Sequence, residues 1–326
     1  MDRFACPACG GSAAAPHLSF RNGSIVRCAS CDLMSTWPRA ASADLYAASY
    51  YSGQAATRFQ VPIAEWAMRW FRRRRARKLA AALGDVAGKR MLDVGCGRGH
   101  TLLALQQMGA DVSGTQISPP AARRARSLIG EGRVFQTTLG DAAFAPSTFD
   151  AVTLWHVLEH VSDPLCELTD AARVLKPAGL LYVEVPNAGG WTARRYGPAW
   201  LAWDVTHHVS HFTPPTLARL AAKAGFTVVR EVHLSLEYSP PTLLQTWLNQ
   251  WLGGDSRLFR AMTHDDDRDA PGGRVPLPIH VAAAILLLPA AVLVTFLLAL
   301  RRDGDTLGVY FRPATLTDSA ADAPVA

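Results

Sequence analysis

From residue 90 onward, short apolar runs alternate with stretches in which apolar positions recur every three or four residues. The runs 90–94, 111–115, 133–137, 150–155, 180–185 and 226–236 predict strands, and 99–109, 119–129, 164–175 and 214–224 predict the helices between them. Strands alternating with helices of that length build a parallel α/β sheet. A final strand, 306–311, follows a long insertion, 239–304. Ahead of the alternation, 63–83 reads as a helix with Trp66, Trp70 and Leu79 on one side and arginines around the remainder, ended by Gly84 and Gly88. Residues 37–53, rich in Ala and Ser with Tyr46, Tyr50 and Tyr51 between, read as a connector, and 314–326 as a disordered tail. The pattern divides the chain into a cysteine-bearing unit (1–36), connector and basic helix (37–88), α/β core (89–238), insertion (239–304) and closing strand (305–313).

The insertion is the unusual part. Residues 281–300 carry no charge over 20 positions, about 30 Å of helix and the thickness of a bilayer core. Arg301 and Arg302 follow, as a cytoplasmic flank would, and Pro289 predicts a kink at the centre. If 306–311 closes the same sheet as 90–94, both ends of the insertion lie on one side and a single straight span is excluded. The segment either dips in and returns at Pro289 or pairs with 240–252, where Trp247 and Trp251 suit an interfacial belt. Membrane contact through 240–252 and 279–300 is favoured over a buried soluble helix, because wholly apolar helices of this length are rare in domains of this size. The charged run His264–Asp269 stays in water. This predicts a monotopic protein on the cytoplasmic face of the membrane.

Charge refines the picture. The chain carries 33 Lys and Arg against 27 Asp and Glu, a formal +6. Arg69, Arg72, Arg73, Arg74, Arg75, Arg77 and Lys78 supply seven positive charges in one helix, so the remainder is close to neutral. A general nucleic-acid surface is not implied; one basic helix is, either against anionic lipid or as a solvated face. Met1–Gly10 is polar and cysteine-bearing, so no secretory leader is expected.

Cys6, Cys9, Cys28 and Cys31 form two C-x2-C pairs separated by 18 residues. Four thiolates so spaced close a tetrahedral zinc site, and so short a stretch builds no core without a staple. Two disulfides are the alternative and need an oxidising compartment, of which the sequence gives no sign. Four sulfur ligands leave no open position, so the zinc is structural rather than catalytic.

The stretch Met91–Gly99 runs strand, Asp93, then Gly95, Gly97 and Gly99 opening a helix. Such glycines let backbone turn sharply and let a ligand approach the amides. The spacing differs from the dinucleotide fingerprint. With Asp93 it resembles the first motif of class I S-adenosylmethionine-dependent methyltransferases. Phe149–His160 resembles that family's fourth strand and turn, and Arg173–Gly179 the turn before its fifth. Val185-Pro-Asn187, His207–Thr213 and Ala224-Gly-Phe226, together with the four-cysteine ribbon and Leu45, Tyr46, Tyr50 and Tyr51, resemble a bacterial subfamily. The likeness spans 6–236 and 305–313. It implies a Rossmann-like methyltransferase sheet with helices on both faces and a small N-terminal zinc ribbon, to which the apolar run adds a hydrophobic helical insertion before the last strand.

The resemblance also implies roles. Asp93 would accept from the methionine ammonium, Gly95, Gly97 and Gly99 would pass the cofactor, Asp141 would meet the adenine amine, and Trp155 and His156 would wall the adenosyl group. Where the family has an acid for the ribose hydroxyls, this chain has Gln116. An amide there lacks the charge-assisted strength of a carboxylate, a difference of about 1 kcal/mol or roughly fivefold in affinity. His160 is the first candidate base, with His207, His208 and His211 a second set. His156, Glu159 and His160, at i, i+3 and i+4, also have the spacing of a metal site. The implied activity is methyl transfer, O-methylation foremost, from S-adenosyl-L-methionine to a small-molecule or lipid-linked amphiphilic acceptor. A nucleotide-sugar C- or O-methyltransferase and a non-catalytic zinc-ribbon adaptor are the alternatives. Nucleic acid is disfavoured as a substrate, since Leu154–Val157 stands where base-amine enzymes need an Asn/Asp-Pro-Pro-aromatic turn. The sequence leaves the oligomeric state open.

Overall fold

Alternation along each strand decides which side chain faces which layer. In the computed structural model, which describes residues 4–38, 62–253, 256–262 and 275–314, the core strands are β4 (Arg90–Val94), β5 (Asp111–Thr115), β6 (Val134–Phe135), β7 (Phe149–Trp155), β8 (Leu175–Pro186), β10 (Phe226–Val232) and β11 (Thr306–Pro313). They form one sheet in the order β10-β11-β8-β7-β4-β5-β6. β8, β7, β4, β5 and β6 run parallel to one another, whereas β11 is antiparallel to both β8 and β10.

Leu92, Val152, Leu181, Val183 and Phe311 point to one face, where α4 (Pro164–Val174) and α6 (Pro214–Lys223) cover them. Met91, Ala151, Tyr182 and Tyr310 point to the other, under α1 (Pro62–Leu83), α2 (His100–Gln107) and α3 (Pro119–Ile129). Helix starts follow local chemistry. Asp163 Oδ1 accepts from the Cys166 amide at 2.9 Å ahead of Pro164, and Thr213 and Thr216 form a reciprocal cap on α6. Strand order reverses between β4 and β7, which opens a crevice beyond their carboxyl ends.

A second sheet joins β1 (Ala14–Phe20), β2 (Gly23–Cys28) and β3 (Met34–Trp37) to β9 (Ser210–His211), a two-residue strand from the core. Cys6, Cys28 and Leu33 pack into the same apolar cluster as Phe212 and Leu217, so the cysteine unit is seated on the core.

Two expectations about helix faces are corrected. In α1, Leu79 is buried but Trp66 and Trp70 are 62% and 42% exposed, and Arg75 turns inward. The inward arginine is held by an ion pair: Arg75 and Arg72 reach Glu237 at 2.8 and 3.0 Å. In the insertion, α9 (Leu277–Leu300) runs unbroken through Pro289 and packs on α7 (Ser239–Leu252), so the helix does not return at the proline. Trp247, expected in an interfacial belt, is buried and its indole donates to the Tyr196 hydroxyl at 2.9 Å; Trp251 stacks on it and is exposed. The opposite face of α9 is bare. Only 17% of its most apolar window is buried, and Leu286, Leu293 and Leu300, seven residues apart, are 79%, 60% and 81% exposed. It is the one helix among the described residues long and apolar enough to cross a membrane. The connector tyrosines, His264–Asp269 and the tail from 315 lie outside the described residues.

Leu181, fully buried at the centre of the sheet, sets a test of this layering. Leu181→Ala is expected to cost about 2–5 kcal/mol in urea unfolding, against under about 0.5 kcal/mol for Val228→Ala on exposed β10.

Candidate active site

A cleft of about 1030 Å³ opens where the strand order reverses. On the β4 side its floor is the glycine turn. Gly95, Gly97 and Gly99 have φ of 63°, 56° and 80°, a region side chains other than glycine rarely adopt. Their surroundings separate their roles. A Cβ on Gly97 would meet nothing within 4 Å, so that backbone is open to a ligand. A Cβ on Gly95 would lie 2.6 Å from Val157 Cγ2, and one on Gly99 would lie 3.0 Å from Ala125 of α3. Gly95 and Gly97 line the cleft; Gly99, expected to pass the cofactor, instead lets α2 and α3 pack closely.

Asp93 ends β4 buried in the cleft wall, its Oδ1 accepting from Thr153 Oγ1 at 2.7 Å. Burial pushes its carboxyl up to about 6, against the Thr153 hydrogen bond and the Arg75 charge. Gln116 follows β5, fully enclosed. Its Oε1 accepts from the Ser118 amide at 2.9 Å while Nε2 has no partner, a buried donor awaiting an acceptor. Asp141 sits on the cleft rim, accepting from Thr138 Oγ1 at 2.7 Å. Trp155 lines the wall too, with the Arg75 guanidinium 4.4 Å over its ring and Tyr182 against it. These residues suit a nucleoside with a cationic tail: a carboxylate, an amide donor, an aromatic wall and open backbone converge on one volume.

At the carboxyl end of β7, His156 adopts φ 54° and anchors a buried ionic cluster. Its Nδ1 lies 3.2 Å from Glu159 Oε1 and its Nε2 3.3 Å from Glu184 Oε1, while Tyr238 lies over the ring at 3.7 Å. Burial disfavours the imidazolium, yet Tyr238, Glu159 and Glu184 outweigh it and raise His156 to about 10. Glu184, also buried, is nonetheless brought down to about 2, by His156 and Arg75. His156 therefore serves the cleft as a fixed cation.

The loop before β9 supplies the facing wall. His160 Nδ1 donates to the His207 carbonyl oxygen at 3.0 Å, which leaves the lone pair of that tautomer on Nε2. Burial and then His208 lower His160 to about 4, so it is neutral at pH 7. Asp204 accepts from His207 Nδ1 at 2.9 Å, and the His208 ring lies 4.7 Å from that of His160. His160, His207 and His208 all line the cleft. His211 does not. As part of β9 it is buried, with Nε2 3.0 Å from Thr36 Oγ1 and the ring against Trp203, so its candidacy as a base is withdrawn. Nor do His156, Glu159 and His160 converge as expected for a metal: His156 is committed to two carboxylates. Ligand atoms of Glu159, His160 and His208 are the ones that meet, within 4.8 Å.

Away from the cleft, the sulfurs of Cys6, Cys9, Cys28 and Cys31 lie within 4.8 Å of one another, with no disulfide among them. Cys6–Cys31 and Cys9–Cys28 are 3.5 and 3.6 Å apart, near the roughly 3.8 Å tetrahedral edge that zinc–sulfur bonds of about 2.3 Å require.

Glu184, Tyr238 and Asp204 were not singled out in the sequence, and Arg75 was read only as one charge of the basic helix. Only Asp204 carried a local signal, its i, i+3 spacing to His207; the others meet the site across more than 20 residues of chain.

Comparison with known proteins agrees with this geometry. Residues 68–231 match the model of a methyltransferase domain family. The chain is 34% identical over 177 residues to the ubiquinone biosynthesis O-methyltransferase of Xanthomonas oryzae pv. oryzae, covering 51% of this chain and 71% of that protein. The protein of the same name from Thiobacillus denitrificans is 34% identical over 168 residues, 48% of this chain and 72% of that one. Among solved structures, one from Galdieria sulphuraria described as a sarcosine dimethylglycine methyltransferase superposes with a TM-score of 0.50 at 15% identity, over 84% of this chain and 99% of that one, a likeness of fold.

The ionic cluster gives a pH test. His156 is raised from 6.5 to about 10, so its contribution to stability is full below pH 6.5 and is lost as pH rises through about 10. His156→Ala, which strands two buried carboxylates, is expected to cost about 3–5 kcal/mol near neutrality. The gap from wild type in urea unfolding should narrow as pH approaches 10.

Proposed function

Because the chain belongs to the class I S-adenosylmethionine-dependent methyltransferases, we propose that it methylates a hydroxyl oxygen of an amphiphilic or lipid-linked acceptor at the cytoplasmic surface of a membrane. The observation that carries this reading is the continuity of the cleft. Asp93, Gly97 and Gln116 line its β4–β5 side, the histidine loop lines its far side, and Thr242 and Phe259 of the apolar insertion border the same volume.

When bound, S-adenosylmethionine supplies an electrophilic methyl group on its sulfonium. Asp93 fits its ammonium, and the partnerless Gln116 Nε2 donates to a ribose hydroxyl. Orientation is the larger part of what the chain contributes, since the acceptor must sit in line with the methyl group. Neutral His160 accepts the hydroxyl proton at Nε2, and Asp204 fixes the His207 ring beside it. The similarity to O-methyltransferases supports oxygen as the atom methylated.

The bare stripe of Leu286, Leu293 and Leu300 supports a monotopic anchor: α9 offers its outer face to lipid and its inner face to α7. For the cysteine unit, the reading is a closed structural zinc at Cys6, Cys9, Cys28 and Cys31, which ties the turns of the ribbon together.

Three experiments test this function. Gln116→Glu keeps the Ser118 contact and adds a charge toward the ribose, so calorimetry should find S-adenosylmethionine bound roughly fivefold tighter; unchanged or weaker binding would remove the ribose from this position. Tritium from the methyl-labelled cofactor should enter a total lipid extract of the parent organism's membranes. The double variant Leu286→Glu, Leu293→Glu should leave the carbonate-washed membrane fraction while binding the cofactor as before. Label confined to water-soluble products would exclude an amphiphilic acceptor.

A further inference from the structure

One carboxylate of the cleft has no part in the chemistry above. Asp305 stands immediately before β11, five residues after α9 ends at Leu300, and lines the cleft with its neighbour Thr306 and with Pro186, the residue paired with Thr306 at the end of β8. The sheet order puts this wall beyond β7, on the side away from β4, β5 and the cofactor turn. Asp305 is only 3% exposed, and neither of its carboxylate oxygens has a hydrogen-bond partner. Thr192 Oγ1 and Trp200 Nε1 back it from outside the cleft without closing a well-formed bond.

The backbone around it is firmly held. The Asn187 amide donates to the Asp305 carbonyl oxygen at 2.8 Å, Asn187 Nδ2 donates to the Gly304 carbonyl at 2.9 Å, and Arg194 clasps Asp303 at 3.0 and 2.8 Å. The backbone that carries the side chain is therefore fixed, and the nearby guanidinium is committed elsewhere. Enclosing a carboxylate without a partner is costly, and such groups concentrate where a ligand completes them.

We propose that Asp305 binds the methyl acceptor: its carboxylate accepts a hydrogen bond from a donor group, hydroxyl or N–H, that the acceptor carries beside the atom to be methylated. Asp305 then selects acceptors that bring such a donor and holds them toward the histidine wall. Its place so soon after the apolar helix fits an acceptor whose tail lies along the insertion while its polar end enters the cleft. Burial pushes the carboxyl up to about 7, against Thr192 and Trp200. The inference rests on the amphiphilic-acceptor reading.

The test is Asp305→Asn, with Asp305→Glu as the conservative partner. Methyl transfer into the lipid extract is measured over a dilution series of the extract, alongside cofactor affinity by calorimetry and thermal unfolding at pH 8. The asparagine variant should need roughly ten- to hundredfold more extract for half-maximal rate, from loss of a charged hydrogen bond. Its maximal rate and cofactor affinity should stay within a few-fold, and the glutamate variant should recover part of the loss. Since the buried charge opposes folding, Asp305→Asn should melt at or above the wild-type temperature. Unchanged half-saturation overturns the proposal. So does a lower melting temperature with all kinetic parameters falling together, which would make Asp305 a structural hub for Thr192 and Trp200. If wild type binds the cofactor but labels no lipid, the amphiphile reading fails and takes this inference with it.

Discussion

Everything near the cleft is tied to one buried ionic cluster. His156 lies between Glu159 and Glu184, Tyr238 covers its ring, and Arg75 spans from Glu237 to the face of Trp155. These groups come from α1, from β7 and its turn, from β8 and from the entrance to the insertion. In a low-dielectric setting each charge is tolerable only because its partners are present. The cluster thus fixes three things at once: the position of the helix over the cofactor side, the end of the strand that forms the floor, and the angle at which the apolar insertion leaves the sheet.

The sheet was legible because its central strands are buried on both faces and carry little else. Runs such as 90–94 and 111–115 coincide with β4 and β5. The largest strand error is instructive. β8 begins at Leu175, five residues before the predicted start, because Leu175 pairs with Phe149 before the ladder resumes at Leu180. Lysine, proline and glycine in that stretch read as a turn, and pairing overrides their local preference. Helix α1 was found but turned the wrong way. Periodicity assumes that tryptophan goes in and arginine stays out, which fails where Glu237, more than 160 residues away, supplies a counter-charge.

For the site, the glycine turn and Asp93 were legible because backbone demands leave a fixed trace in sequence. Histidines were not so easily sorted. His160 and His211 look alike in sequence, yet one faces the cleft and the other joins a strand of the cysteine unit. That difference depends on Met34–Trp37 pairing with a loop nearly 180 residues later, which no local pattern announces. Gln116 went the other way: read as a weak substitute, it is an amide with one end satisfied and the other held ready.

The last strand among the described residues, β11, is not an edge of its sheet. It slots between β8 and β10, directly behind the most water-averse stretch of the chain. Until it arrives, β8 and β10 have no common neighbour, and the loop to be closed, from Val232 to Thr306, is long enough for its closure entropy to weigh on the rate. Docking α9 on α7 shortens that loop. Shelter for the greasy helix and the shutting of the sheet are therefore coupled through one stretch of chain, since α9 leads directly into β11.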